Sequence, residues 1–292
     1  MTATSSFLEN PVGYAKEHVI LPSKGSADTS TMKAKTVAPD LTLYQVKGEN
    51  RVLYAHLEAA AKGNAFDVDF SEAQLSKDWF ATYWLPWYTS ETYRITLRPS
   101  KKNLLNADFF FTAALTGCTV HVDGDPWEPT VYHSNAASLP VKVPLSKEKN
   151  AELYKMSTKV LHMESAIKAS QIKFPKGASH YKPRSATVFD YAPDLVSPSD
   201  IDLLKKQQEK KLDAEPDSVM PALGATVFGV KSQTHGLWSF YYQSWTLINY
   251  SKGDLRLRTY FVNSCRRFWP GDDISKPIPI VFEKSEESDE NY

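Results

Sequence analysis

The sequence predicts an α+β fold, in which strand-rich blocks lie on either side of one long helix. Between residues 41 and 145, runs of β-branched and aromatic residues alternate with Gly, Pro and Asp, a composition typical of strands joined by turns. Residues 147–172 instead carry apolar side chains at spacings of three and four, the pattern of an amphipathic helix. From residue 225 onward the chain returns to runs rich in Val, Tyr, Phe and Trp. Strands grouped apart from helices are typical of the α+β class.

The composition is that of an ordinary globular protein. The chain has 292 residues, of which 42% are hydrophobic, enough to bury a full core. Lys plus Arg and Asp plus Glu are balanced at 34 each, so no net charge draws the protein to nucleic acid, and we expect no nucleic-acid partner. The two cysteines, Cys118 and Cys265, are compatible with a reducing compartment, with a single disulfide between them as the alternative.

The chain divides into a leader, one domain and a tail. Residues 1–40 mix Ser, Thr, Lys and Pro with few large apolar residues, which predicts a flexible leader. Residues 41–284 have a globular pattern and are expected to form a single domain, while residues 285–292 are acidic and predicted to be disordered. No apolar stretch follows a basic start, and no run of about 18 apolar residues occurs, so we expect neither an ordinary secretion signal nor a membrane span.

The first half of the domain is predicted to contain strands and one helix. Residues 41–46 are a strand candidate, and residues 51–63 are predicted to form a short helix ended by Gly63. Aromatic residues crowd residues 79–88, where core or interface packing is the simplest interpretation. Two further strand candidates are residues 91–99, by alternation, and residues 108–115, which lead into Cys118.

Two helices and three strands are predicted in the second half. Leu153, Met156, Val160 and Met163 or Ile167 mark the buried side of the helix within residues 147–172. Residues 198–213 start with a cap-like Ser-Pro-Ser-Asp and form a second, charged helix, for which a solvated face is the simplest interpretation. Strands are predicted in three runs, ATVFGVKS, LWSFYYQSWTLINYS and DLRLRTYFVNS.

A Cys and a His are expected to face each other across a hairpin. The runs TVHV and TVYH read as strands, and residues 123–128 between them, DGDPWE, are rich in residues that turn chains. With the turn centred there, Cys118 lies directly opposite His133, roughly 5 Å away at Cβ. Side chains alternate along a strand, so both residues share an apolar face and His121 points to the other face.

This pair is suited to nucleophilic catalysis on an amide. A thiol needs a base or cation beside it to react near neutral pH, and His133 is placed to act on Cys118. The backbone N–H groups of Thr116 and Gly117, at a turn beside the thiol, are predicted to stabilise the developing oxyanion. A third group should orient the imidazole through its other nitrogen, for which Thr112 or a neighbouring backbone carbonyl is the candidate.

The run T-x-x-L-T-G-C, from Thr112 to Cys118, followed after fifteen residues by His133 in a strand, resembles a family of bacterial toxins. It is similar to the glutamine deamidase toxins of the cytotoxic necrotizing factor and Burkholderia lethal factor group, which carry an L-S-G-C motif with a catalytic Cys and His. Thr116 replaces the Ser of that motif and keeps its hydroxyl. Thr112 precedes the Cys by six residues, as an orienting Thr does in the lethal-factor branch.

The resemblance implies a mixed or antiparallel β-sandwich core flanked by helices, and protein glutamine deamidation without a cofactor. The family's targets are Rho-type small GTPases or a translation initiation helicase, so the implied partner is a host protein of either kind. Transglutamination, in which an amine replaces water, stays open, as does the oligomeric state. The resemblance further implies a protein that is secreted, or delivered into a host cell by a non-classical route, with a cytoplasmic enzyme as the alternative.

Other interpretations of the same residues remain. A non-catalytic binding module presenting its aromatic side chains, and a conventional Cys protease, are the alternative functions. Cys118 itself is a buried structural residue if it has no catalytic role. Cys265 lies beside two arginines but has no His at defined spacing, so a structural role is favoured. No paired spacing of Cys or His indicates a metal site.

Overall fold

The structure is a computed structural model of the chain. It describes residues 2–22, 33–38, 41–46, 52–60, 65–87, 91–98, 107–170, 181–191, 206, 218–253 and 255–270. The helices are α1 (Ala3–Glu9), α2 (Pro11–Glu17), α3 (Ala151–Ser170) and α4 (Val188–Tyr191). The strands are β1 (Val19–Pro22), β2 (Lys33–Ala38), β3 (Leu41–Val46), β4 (Val52–Ala59), β5 (Ala65–Ser71), β6 (Phe80–Leu85), β7 (Glu91–Thr96), β8 (Phe109–Thr112), β9 (Thr119–Gly124), β10 (Thr130–Ser134), β11 (Tyr181–Ala186), β12 (Ser218–Lys231), β13 (Trp238–Lys252) and β14 (Leu255–Trp269).

These strands form two mixed sheets. The eight-stranded sheet has the order β1-β5-β4-β6-β8-β12-β13-β14, and the six-stranded sheet has the order β11-β9-β10-β7-β3-β2. Three neighbouring pairs, β1 with β5, β6 with β8 and β3 with β7, are parallel, and the other pairs are antiparallel. The predicted α+β class is therefore confirmed.

The main core lies between the two sheets. Phe110 and Phe240 of the eight-stranded sheet belong to the same buried cluster as Ile95, Val122 and Val131 of the six-stranded sheet. All five side chains are 0% exposed, so the core is closed to solvent at these positions. Burying one such side chain stabilises the fold by about 1.5–3 kcal/mol, which is why the alternating apolar residues of both sheets face inward.

The start of the chain differs from the predicted flexible leader. Residues 3–17 form α1 and α2, and β1 pairs in parallel with β5 at the edge of the eight-stranded sheet. Phe7 and Ile20 are 0% exposed and pack against the outer face of that sheet. Scattered Ser and Thr suggested disorder, but Thr2 and Asn10 instead cap the two helices by accepting hydrogen bonds from backbone N–H groups. The domain therefore includes residues before the predicted boundary at residue 40.

The helix predicted over residues 51–63 is wrong. Residues 52–59 form β4, in which Leu53, Ala55 and Leu57 are buried while their neighbours are more exposed. Ala and Glu favour helices locally, but the period of two in burial and the pairing with β5 and β6 decide the conformation.

The long helix and the C-terminal strands are confirmed. α3 covers most of the predicted segment and buries Val160, Met163 and Ile167. Its first half departs from the predicted face, since Leu153 and Met156 are 56% and 36% exposed. The three predicted C-terminal runs are β12, β13 and β14, which pair in sequence as antiparallel neighbours.

Two predicted segments lie outside the described residues. These are the charged helix of residues 198–213, apart from residue 206, and the acidic tail of residues 285–292. Within the described part of the chain, no helix is both long and apolar enough to cross a membrane.

Candidate functional site

Cys118 follows a tight exposed turn between the two sheets. Leu115, just before the turn, exchanges two backbone hydrogen bonds with Ala225 of β12, at 2.7 and 2.9 Å. Gly117 then adopts a φ of +125°, a conformation that is strained for any residue with a Cβ. Thr116 and Gly117 are exposed, but Cys118 is only 3% exposed because the chain turns inward to begin β9.

The register of the hairpin differs by two residues from the predicted one. His133 lies opposite Val120, not opposite Cys118. If this register is continued by one residue beyond the last pair of the two strands, Cys118 lies opposite Asn135. The Asn135 side chain donates a hydrogen bond from its Nδ2 to the Cys118 Sγ at 3.0 Å. The predicted direct pairing of Cys118 with His133 is therefore wrong.

The turn explains this shift. It centres on Pro126 and Trp127, because the Glu128 N–H bonds to the Asp125 carbonyl at 3.0 Å and the Asp125 side chain accepts the Trp127 N–H at 2.9 Å. The Pro126 carbonyl also accepts the backbone N–H of Trp238 at 2.9 Å. Pro at the second position of a turn and an Asp that bonds its own backbone are both favourable, so the turn forms within the predicted residues 123–128 but its centre lies one residue later than the predicted pairing requires, which shifts the register by two.

The predicted faces of the two strands hold despite the shift. A slip of two residues keeps every side chain on the same side of the sheet, because side chains alternate with a period of two. Cys118, Val120, Val122 and Val131 all belong to the inner core. Cys118 and His133 are therefore diagonal neighbours on one face, which places their Cα atoms roughly 7 to 8 Å apart.

Burial keeps the Cys118 thiol protonated. Desolvation raises the pKa of this thiol from 9.0 to about 11, against the smaller lowering effects of the Asn135 hydrogen bond and of a backbone hydrogen bond from Thr116. Both of these hydrogen bonds favour the thiolate, since a charged acceptor bonds more strongly than a neutral one. The Asn135 donor is thus in place before any negative charge forms on the sulfur.

Thr112 orients the imidazole of His133. The Thr112 Oγ1 lies 2.6 Å from the His133 Nδ1 and donates its single hydrogen to the Leu85 carbonyl at 2.7 Å. A carbonyl only accepts hydrogen bonds, so the Thr112 hydroxyl must accept one from His133. The neutral ring therefore carries its proton on Nδ1 and its lone pair on Nε2, as a general base acting through Nε2 requires.

The free nitrogen of this ring is buried. His133 is 0% exposed, and its Nε2 has no hydrogen-bond partner among the described residues. Desolvation lowers the pKa of His133 from 6.5 to about 3, so the ring is neutral at pH 7. The half-buried indole of Trp87 stacks over the imidazole, with ring centroids 6.5 Å apart and an angle of 14° between the planes. An unpartnered buried nitrogen is costly, and it marks this position as a candidate site.

The Gly117 N–H, one of the two predicted oxyanion donors, is not open in this arrangement. The Gly117 N–H donates to the Tyr191 hydroxyl at 2.9 Å, and that hydroxyl donates in turn to the Cys118 carbonyl at 3.2 Å. Tyr191 lies at the end of α4, and burial raises the pKa of its hydroxyl, which is therefore neutral.

The structure also locates the residues to which the sequence assigned no catalytic role. His121 lies on the opposite face of β9, as expected, where its Nδ1 is 2.9 Å from the Ser185 Oγ and burial lowers its pKa to about 4. Cys118 and Cys265 are both free thiols, so the alternative disulfide is not formed. Cys265 is buried on the other side of the eight-stranded sheet, where desolvation raises its pKa to about 12.

Sequence reasoning missed three side chains of the site, Trp87, Asn135 and Tyr191. Asn135 stands two residues after His133, and the correct hairpin register would have placed it opposite Cys118. Trp87 and Tyr191 come from distant parts of the chain, and nothing in their local sequence connects them to Cys118.

Within the described residues, no cluster of three or more His, Cys, Asp or Glu side chains is arranged to hold a metal ion. The site thus consists of a thiol, an imidazole of defined tautomer, and hydroxyl and amide groups that orient them. No protein-family model matches the chain, and no curated protein matches it significantly.

Proposed function

We propose that the protein is a Cys–His glutamine deamidase that converts a Gln side chain of another protein to Glu. The observation that carries this proposal is the hydrogen bond from the His133 Nδ1 to Thr112. It leaves a lone pair on Nε2, on the same sheet face as Cys118. A buried histidine with only a packing role would be expected to satisfy both ring nitrogens.

In the proposed reaction the His133 Nε2 takes the thiol proton while the Cys118 sulfur attacks the carboxamide carbon of the substrate. The tetrahedral intermediate collapses when the leaving nitrogen takes that proton from the imidazolium and departs as ammonia. A thioester remains on Cys118. Water, deprotonated by Nε2, then attacks the thioester, and the returning proton restores the thiol and releases a glutamate side chain.

The proposed dyad is neutral at rest, in contrast to a preformed thiolate–imidazolium pair. The pKa of Cys118 is raised and that of His133 is lowered, so proton transfer has to accompany the attack rather than precede it. In this resting arrangement Asn135 donates a hydrogen bond to the sulfur. To reach Nε2, the Cys118 side chain rotates away from Asn135, and the exposed Thr116–Gly117 turn has to move to admit the substrate.

The same movement of the Thr116–Gly117 turn would supply the donor that stabilises the oxyanion of the tetrahedral intermediate. If Tyr191 releases the Gly117 N–H, that group becomes available beside the attacked carbon. The toxin-like catalytic fold, a host GTPase or translation factor as substrate, and delivery into a host cell belong to this proposal through the sequence resemblance. Deamidation of a catalytic Gln in a GTPase would slow GTP hydrolysis, because such a Gln orients the attacking water.

A non-catalytic binding module is the second candidate, and one observation favours it. Cys118 and His133 are 3% and 0% exposed, and burial shifts both pKa values away from the charged forms that make a Cys–His pair reactive. On this interpretation the two side chains contribute only to packing, and the protein acts through a surface.

The test compares wild-type protein with Cys118→Ala and with Cys265→Ala, which removes a buried thiol outside the site. Each protein is incubated with eukaryotic cell lysate, and glutamines that gain about one dalton are sought by peptide mass spectrometry. Deamidation by the wild type and by Cys265→Ala, but not by Cys118→Ala, is expected. Modification that persists with Cys118→Ala, or none with any of the proteins, contradicts the proposal. Glutamines that gain an added amine instead identify transglutamination.

A further inference from the structure

Glu91 lies on the same sheet face as Cys118 and His133, at the same end of the six-stranded sheet. The Asn135 N–H donates to the Glu91 carbonyl at 3.0 Å, which continues the register of β10 with β7 by one residue. Asn135 therefore stands between Cys118 and Glu91, in one row across three neighbouring strands. Neighbouring strands are about 4.8 Å apart, which places the Cα atoms of Cys118 and Glu91 roughly 10 Å apart. Both residues are diagonal neighbours of His133, one on each side of it.

Two tyrosine hydroxyls hold the carboxylate of Glu91. The Tyr93 hydroxyl donates to the Glu91 Oε2, and the Tyr44 side chain also forms a hydrogen bond with this carboxylate. The rings of Tyr44 and Tyr93 stack with their centroids 5.1 Å apart, and Tyr93 is fully buried, so the core supports both donors. Burial, the charge of Glu91 and the hydrogen bond together raise the pKa of Tyr44, which therefore stays a neutral donor. Hydrogen bonds from neutral donors favour the ionised form of a carboxylate.

The negative charge of Glu91 is not balanced by an ion pair. Within the part of the chain that the structure describes, no Lys, Arg or His side chain forms a salt bridge with its carboxylate. Glu91 is half-buried, whereas Cys118 in the same row is buried, so the carboxylate keeps access to solvent beside the site. An ionised carboxylate has about four acceptor positions, and the two tyrosines leave some of them open. Such a group is suited to bind a cation.

The spacing selects one position of an extended substrate. Residues two apart in an extended chain point to the same side and lie about 7 Å from each other. With the target Gln at Cys118, the side chain two residues away therefore points to the same sheet face as Glu91. The long side chains of Glu91 and of a Lys or Arg cover the remaining distance of roughly 3 Å.

We propose that Glu91 selects target glutamines that have a Lys or Arg two residues away in the substrate chain, by pairing with that cation. This inference rests on the proposed deamidase function, because it assigns the substrate class of the same Cys–His pair. Glu91 takes no part in the chemical step and acts on substrate choice.

Binding is measured by fluorescence anisotropy with labelled peptides and full-length Cys118→Ala, which lacks the nucleophile. Each peptide has one Gln in a neutral sequence, with Lys, norleucine or Glu two residues before or after it. We expect the Lys peptide to bind about tenfold more tightly than the norleucine peptide, which corresponds to about 1.4 kcal/mol, and the Glu peptide to bind most weakly. Lys placed one residue from the Gln, on the other side of an extended chain, should give no such advantage.

Two substitutions test Glu91 in this background. Glu91→Gln keeps an acceptor for the tyrosines and should remove the preference for Lys, and Glu91→Lys should reverse it in favour of the Glu peptide. Glu128→Gln is the matched control and should keep the preference, because Glu128 is an exposed carboxylate near the opposite end of β10. With Glu91 intact, the preference should also shrink as the ionic strength is raised, a test that needs no substitution at this position.

Equal Kd values for the Lys and norleucine peptides, a preference that persists in Glu91→Gln or is insensitive to salt, or no binding of any peptide overturns the proposal. Ammonia release from the same peptides by the wild type separates this proposal from the deamidase function. A higher kcat/KM for the Lys peptide supports both. Equal kcat/KM values overturn the selection by Glu91 and leave the deamidase function standing. A Lys preference in binding without ammonia release overturns the deamidase function and leaves the cation-binding role of Glu91 standing.

Discussion

The hydroxyl of Thr112 accepts a hydrogen bond from the His133 Nδ1 at 2.6 Å, and it does so because its own proton is committed to the Leu85 carbonyl. Thr112 lies at the end of β8 in the eight-stranded sheet, and His133 lies in β10 of the six-stranded sheet. One hydroxyl therefore connects the two sheets and selects the tautomer of a fully buried histidine.

Replacing Thr112 with Val should change that tautomer balance and destabilise the protein. Val has a similar shape but no acceptor, so the buried His133 N–H loses its partner, at a cost of about 1–3 kcal/mol. Thr112→Ser keeps the hydroxyl and should retain the Nδ1–H form. The ¹⁵N chemical shifts of the His133 ring distinguish the tautomers, and urea unfolding measures the stability. An unchanged Nδ1–H signal in Thr112→Val contradicts the assignment.

The stability of the protein should fall in acid partly because of His133. Its pKa is about 3 in the folded chain against 6.5 for the unfolded reference, so the unfolded chain binds the additional proton between these values. The contribution of His133 to the free energy of unfolding is therefore present above pH 6.5 and is lost progressively as the pH falls towards 3.

This pH dependence is measured as the urea midpoint between pH 7 and pH 4. His133→Gln removes the titrating group and should give a shallower slope than the wild type, whereas His235→Gln, at an exposed position, should follow the wild type. Equal slopes for all three proteins are inconsistent with a neutral buried His133.

Asn135 should hold the pKa of Cys118 below the value that burial alone would set. Asn135→Leu has a similar size but no donor, so the sulfur loses its hydrogen bond from Asn135 and the pKa of the thiol should rise further. The measurement is the pH midpoint of thiolate absorbance near 240 nm in a Cys265→Ala background. Asn135→Gln, which keeps an amide on a longer side chain, is the comparison. A midpoint that stays the same or falls in Asn135→Leu shows that Asn135 does not stabilise the thiolate.

Tyr191→Phe should loosen the turn before Cys118. The lost hydroxyl bridges the Gly117 N–H and the Cys118 carbonyl, and its removal should cost about 1 kcal/mol. Amide hydrogen exchange at Gly117 and alkylation of Cys118 should both become faster. Tyr250→Phe is the matched control, because the buried Tyr250 hydroxyl has no hydrogen-bond partner within the described chain. Similar effects from both substitutions would indicate general loosening of the core instead.

Much of the strand content follows from local sequence, but the exceptions have a common cause. Residues 41–46 and 91–96 are strands by composition, as predicted, whereas residues 52–59 contain good helix formers and still form a strand. β4 is held by partners on both sides, and such pairing overrides a local preference that amounts to less than about 1 kcal/mol per residue. The helices at residues 3–17 were missed for a similar reason, because their stability comes from Phe7 packing on a distant sheet.

The sequence by itself determined the α+β class, the hairpin that carries Cys118 and His133, and the shared face of these two residues, because alternation along a strand is a local property. Only the tertiary structure decided which residues meet at the site. The turn at Pro126 and its bond to Trp238 set the register that pairs Cys118 with Asn135, and the packing of two sheets brings Thr112 to His133. Such contacts depend on residues far apart in the chain, whose approach is decided by the burial of the whole core and not by any local pattern.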